Sequence, residues 1–134
     1  MATSEVKYIG ELRTEAHHLF SGVKILTDAP LDNQGKAEYF SPTDLAATSL
    51  ASCMLTIIGI AARTHGFSID GTTASVTKVM YSNPRRIGEI HIDYRFPAMG
   101  YTPKQRAIIE NSGRTCPVAL SLHPDIRQVI GFHY

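Results

Sequence analysis

The sequence predicts an α+β protein, with antiparallel sheets packed on one long central helix. Three observations predict it. A well-capped segment from Ser41 to Gly66 contains a stretch, Leu45 to Ala62, without a single charged residue. Gly88 to Phe96 alternates, with Ile90, Ile92, Tyr94 and Phe96 on one face and Glu89, His91, Asp93 and Arg95 on the other, as in a strand with one wet face. Segments of strand character flank the long helix on both sides, giving the order strands, long helix, strands, helix, strand.

Taken along the chain, Val6 to Asp28 reads as two strands with a turn near His17 to Gly22, Val23, Ile25 and Thr27 alternating with Lys24 and Leu26. Residues 29–41 carry the turn chemistry of a loop. Ser41 is placed to cap the long helix, Pro42 suits its first position, and Asp44 falls three residues after the cap. The helix is expected to run to about His65, with Gly66 available to stop it in a left-handed conformation. Thr73 to Tyr81 is rich in β-branched residues, and Ser82-Asn83-Pro84-Arg85-Arg86 makes a turn into the alternating strand. Thr102-Pro103 with Gln105 opens a second helix that ends or kinks at Gly113. A short third helix, with Thr115 as its expected cap, runs from Cys116-Pro117 to about Leu122, and Asp125 to Tyr134 closes the chain as a strand.

The 134 residues suit one domain, 1–134, with a single core. A hydrophobic fraction of 43% against 19% charged excludes a disordered chain, and a net charge of +1 gives no electrostatic case for nucleic acid or an anionic membrane. A transmembrane reading of the uncharged stretch is set aside, because Thr48, Ser49, Ser52, Cys53 and Thr56 stripe it with small polar groups. A helix of roughly 24 residues spans about 36 Å. One sheet covers only one side of it, so a second copy of the chain is expected to cover the rest. The N-terminus shows no basic region followed by an apolar run, so a cytoplasmic protein is expected, in which two cysteines are either packed or do redox work.

Cys53 lies in the third turn of the long helix, where the dipole gives it little help. Taken locally, inert packing is the simpler reading of it, since free cysteine behaves as a small hydrophobe. Cys116 sits at a helix start beside Arg114, the setting of a more acidic thiol. The six histidines are scattered, and His17-His18 has no second ligand set. A Cys/His hydrolase using His65, His91 or His123 stays open. No cofactor or metal is indicated.

Three features together resemble the OsmC/Ohr superfamily, and its general OsmC-like branch. They are Ser41-Pro42-Thr43-Asp44-Leu45 leading into Ser49-Leu50-Ala51-Ser52-Cys53-Met54-Leu55-Thr56, then Thr115-Cys116-Pro117-Val118-Ala119, and the arrangement of strands around them. Leu12-Arg13-Thr14-Glu15 and Asn83-Pro84-Arg85-Arg86-Ile87-Gly88 point to the OsmC-like branch. The resemblance implies an intertwined homodimer with long helices back to back and two sites at the subunit interface. It also implies thiol-dependent reduction of organic hydroperoxides or hydrogen peroxide, with Cys53 matching the peroxidatic and Cys116 the resolving cysteine, restored by a dithiol reductant. Where well-studied members carry a glutamate after the helix-opening proline, this chain has Thr43; the best counterpart of the accompanying arginine is Arg13. The alternatives are a dimer that binds a small apolar ligand or senses redox state, and a structural dimer with packed cysteines.

Overall fold

All 134 residues are described in a computed structural model, as two compact units, Met1–Ala46 and Ala47–Tyr134. In the first, β1 (Ser4–Gly10), β2 (Arg13–His18) and β3 (Lys24–Asp28) pair antiparallel in chain order. Three strands stand where the sequence suggests two. The extra turn is made by Glu11 and Leu12, both at positive φ, 56° and 62°. Such a two-residue hairpin usually announces itself by Asn-Gly or Asp-Gly, and glutamate followed by leucine carries no such signal. The β2–β3 turn falls where expected, with Gly22 at φ 76°.

The register sets Val6, Ala16 and Ile25 in one row and Tyr8, Thr14 and Thr27 in the next. One face of this sheet is therefore largely apolar, and Val6, Tyr8 and Ile25 on it are exposed. The loop that follows contains a 3-10 turn, Leu31–Asn33. Gly35 packs there so closely on Ala29 that an added Cβ would lie 1.7 Å from its carbonyl oxygen. At the start of α1 (Pro42–Thr64), Ser41 Oγ accepts the Asp44 N–H at 3.0 Å while the Asp44 carboxylate accepts the Ser41 N–H at 3.0 Å. This reciprocal box satisfies two donors that the helix leaves free.

In the second unit, α1 continues and turns Ala47, Leu50, Ala51, Met54, Ile58 and Ala62 inward, the spacing of one helix face. They pack on a sheet of order β4 (Thr73–Tyr81), β5 (Arg86–Arg95), β6 (Arg127–His133). Ile90, Ile92, Tyr94 and Phe96 are buried as the alternation predicts. Gly66, at φ 76°, follows the end of α1. By length and composition α1 could cross a bilayer, and a third of its most apolar window is buried within the chain.

The expectation of antiparallel sheets holds for β1–β2–β3 and for β4–β5, but β6 runs parallel to β5. Between β5 and β6 come α2 (Pro103–Gly113) and α3 (Pro117–Ser121), which return the chain to the start of β5. A crossover of this length is what a parallel pair requires. Thr102 and Gln105 form the predicted capping box of α2. The cap of α3 is Cys116 rather than Thr115, whose hydroxyl donates to the Ser112 carbonyl at 2.8 Å.

Candidate functional site

Cys53 is presented by the middle of α1, half-buried on the flank of its inward face. Cys116 arrives from the other end of the unit's sequence, at the cap of α3, and is fully buried. The fold brings their side chains close enough for each to influence the other's ionisation, and both are free thiols, not at disulfide distance. Pro117 at the first helical position and the Cys116 sulfur, which accepts the Ala119 N–H at 3.3 Å, fix the second thiol. Burial pushes the Cys116 thiol up, the Ala119 N–H works in the opposite sense, and the neighbouring Cys53 raises it further. The local expectation of an acidic Cys116 at a helix start is corrected here: desolvation outweighs what a five-residue helix supplies.

Tyr94, which the sequence marks only as a core residue, belongs to the same buried cluster as Cys116, against which Cys53 packs. Its side chain is fully buried on β5, and its hydroxyl donates to the Ala51 carbonyl of α1 at 3.0 Å. Burial, and then the proximity of both thiols, pushes its ionisation above the ordinary phenol range. Its ring stacks on Phe132, centroids 5.8 Å apart. A buried tyrosine directly after an aspartate on an alternating strand looks like packing, so no signal in the sequence singles it out.

The three histidines weighed as thiol partners are engaged elsewhere. His65 contacts the Ala61 carbonyl, His91 the Glu89 carboxylate at 2.8 Å, and His123 pairs with Asp125. No three metal-binding side chains gather at one point.

In the first unit, Arg13 is the centre of a tight cluster. Its guanidinium donates to both Asp28 oxygens, at 2.8 and 2.9 Å, and to Glu38 at 3.2 Å, and lies 4.7 Å from the centre of the Tyr39 ring. The Glu38 N–H also donates to Asp28 at 3.0 Å. Arg13 holds the Asp28 carboxyl well below the usual carboxylate range, against the opposing effect of burial. Thr43 takes part in the helix start, its hydroxyl 3.1 Å from that of Ser41.

The sequence profile of the OsmC-like protein family matches residues 35–129, the stretch that contains both cysteines. This chain belongs to the OsmC-like family. A crystal structure from Psychrobacter arcticus 273-4, of a protein provisionally described as an osmotic stress induced and detoxification response protein, is 59% identical to this OsmC-like chain. The match covers 99% of this chain and 96% of that one, with a TM-score of 0.95. An organic hydroperoxide resistance protein OsmC from Legionella pneumophila shares the fold at 15% identity, covering 100% and 98% of the two chains, TM-score 0.73. So does an organic hydroperoxide resistance protein from Elizabethkingia anophelis with crystallant-derived thiocyanate bound, at 15% identity, 99% and 96% coverage and TM-score 0.71. No curated protein sequence matches.

Proposed function

We propose that this OsmC-like protein is a cytoplasmic, homodimeric thiol peroxidase that reduces organic hydroperoxides or hydrogen peroxide in oxidative stress defence. The observation that carries the reading is that Cys53 and Cys116, far apart in sequence, are gathered as free thiols in one packed cluster, near enough to influence each other's ionisation. Cys53 is the more accessible of the two and is assigned the first step. Its thiolate attacks the nearer peroxide oxygen, the O–O bond breaks, and the alkoxide leaves and takes a proton as the alcohol, or as water from hydrogen peroxide. Cys53 is left as a sulfenic acid. The Cys116 sulfur then attacks the Cys53 sulfur, releasing water and forming the disulfide. A dithiol reductant restores both thiols by exchange and is itself oxidised to a disulfide.

Arg13 is proposed as the cation that favours the Cys53 thiolate, within the dimer. Its permanent charge suits that role, and the cluster with Asp28, Glu38 and Tyr39 gives the guanidinium a fixed position.

The test is peroxide consumption with a dithiol donor. Cys53→Ser should abolish it, and Cys116→Ser should leave Cys53 as a sulfenic or over-oxidised acid, read by mass spectrometry of the modified peptide. Added oxygen on Cys116 would reverse the two roles. No consumption by the wild type, with the disulfide still forming in oxidised buffer, would favour redox sensing over turnover. For Arg13, the pH profile of Cys53 alkylation in Cys116→Ser should move to higher pH on Arg13→Ala; superimposable profiles would remove Arg13 from the site.

A further inference from the structure

Disulfide formation demands close geometry: sulfurs must come to about 2.05 Å with the two Cα atoms roughly 4.4–6.8 Å apart. Displacement of a reacting group by about 1 Å is enough to cost a large factor in rate. Cys116 is fixed locally, by Pro117 and by the Ala119 N–H on its sulfur. Cys53 has no comparable local device, because it lies in mid-helix. The inward face of α1 around it is Leu50, Ala51, Met54 and Ile58, all apolar. Apolar burial is non-directional, and methionine adapts to irregular gaps. Such a face resists being pulled off the sheet far more than it resists a small slide or roll along it.

Among the hydrogen bonds between side chains of the β4–β5–β6 sheet and α1, the one from Tyr94 stands at this point. The Tyr94 hydroxyl reaches the carbonyl of Ala51, two residues before Cys53, across 43 positions of sequence. A helical carbonyl has a second lone pair to accept it. The donor comes from β5, the middle strand of its sheet, and its ring is stacked on Phe132 of β6. Burial and the nearby thiols favour the protonated phenol, the form in which the hydroxyl donates.

We propose that Tyr94 is a positioning residue for the thiol pair: its hydroxyl ties the Ala51 carbonyl to the central strand and fixes the turn of α1 that presents Cys53 to Cys116. The proposal rests on the redox pairing of the two thiols given above. It assigns the directional part of the alignment to one hydroxyl, with the aromatic ring supplying burial. Removing the hydroxyl lowers the effective concentration of one thiol towards the other while leaving the core filled.

The experiment is equilibration of the whole protein in glutathione redox buffers, with the Cys53–Cys116 disulfide quantified by acid quench and mass spectrometry. Two protein thiols and one oxidised glutathione give one protein disulfide and two reduced glutathiones, so the equilibrium constant is the effective concentration of the pair. Tyr94→Phe keeps the ring and should lower that constant about tenfold, with a small change in thermal midpoint. Phe96→Leu is the companion variant. It disturbs the same aromatic cluster, whose Tyr94 and Phe96 centroids are 6.4 Å apart, but keeps the hydroxyl. It should lower the midpoint and leave the constant near the wild-type value. An unchanged constant in Tyr94→Phe would overturn the proposal, as would equal losses in both variants, which would make Tyr94 a packing residue only. Because no peroxide enters the measurement, failure of the peroxidase reading, seen as no peroxide consumption by the wild type, is distinguished from failure of this one.

Discussion

Asp28 is almost wholly buried, at 2% exposure, and yet carries a charge, because Arg13 meets both its oxygens and the Glu38 N–H meets one of them again. Its pKa is therefore depressed relative to the unfolded chain, where a free aspartate titrates near 3.9. A depressed carboxyl stabilises the fold above the unfolded value, and that contribution is lost as pH falls through the folded value. Glu89, depressed first by the Tyr81 hydroxyl and then by His91, acts in the same direction. Chemical denaturation followed against pH should show stability level from neutrality to about pH 5 and falling below about pH 4. Asp28→Asn should flatten part of that fall, since Glu89 supplies the rest; an unchanged acid limb would detach Asp28 from acid stability. At this scale the sequence is half legible. Arg13 stands out in it as a permanent cation near a strand start, but its partners lie 15 and 25 residues away, and nothing local announces them.

Elements are most legible where the chain uses standard local chemistry. Ser41, Pro42 and Asp44 announce the start of α1, and the reciprocal hydrogen bonds are there. Ser41→Ala should lower stability by about 1 kcal/mol, read as a lower denaturation midpoint at constant slope; an unchanged midpoint would mean that the cap contributes nothing. The Thr102–Gln105 box of α2 and Gly66 beyond α1 are read from the sequence by the same logic. Two features escape it. The β1–β2 hairpin puts Glu11 and Leu12 where glycine or asparagine would be easier, so its turn is invisible to composition. The direction of β6 depends on where α2 and α3 deliver the chain, and strand periodicity is the same for parallel and antiparallel neighbours.

At the scale of the molecule, each unit leaves apolar surface without cover. On the first sheet these residues are Val6 at 65% exposure, Tyr8 at 64% and Ile25 at 45%; on the outer side of α1, Ile60 is 58% exposed. Burying such side chains fully stabilises by roughly 1.5–3 kcal/mol each, which a second copy of the chain would supply on both units at once. Sedimentation at micromolar concentration should therefore show a dimer, and dilution should lower stability together with dimer content; a stable folded monomer would refute this. The long uncharged helix lets the sequence raise the need for a partner. It does not reveal the exposed row on the first sheet, which depends on a register set partly by the unannounced hairpin.

Cys116 caps α3 with the same sulfur that would be oxidised. A thiol sulfur accepts the Ala119 N–H freely, whereas a disulfide sulfur is a poorer acceptor and is turned towards its partner. The cap thus stabilises the reduced form selectively, and stabilising the reduced form makes a disulfide more oxidising. If the cap is worth about 0.5–1 kcal/mol, it raises the reduction potential of the pair by about 10–20 mV. Ala119→Pro, which deletes that one N–H within the first helical turn, should lower the potential by a similar amount in a glutathione titration. An unchanged potential would separate the helix from the redox couple. Otherwise a helix of five residues acts as a trimming resistor on the electron affinity of the site.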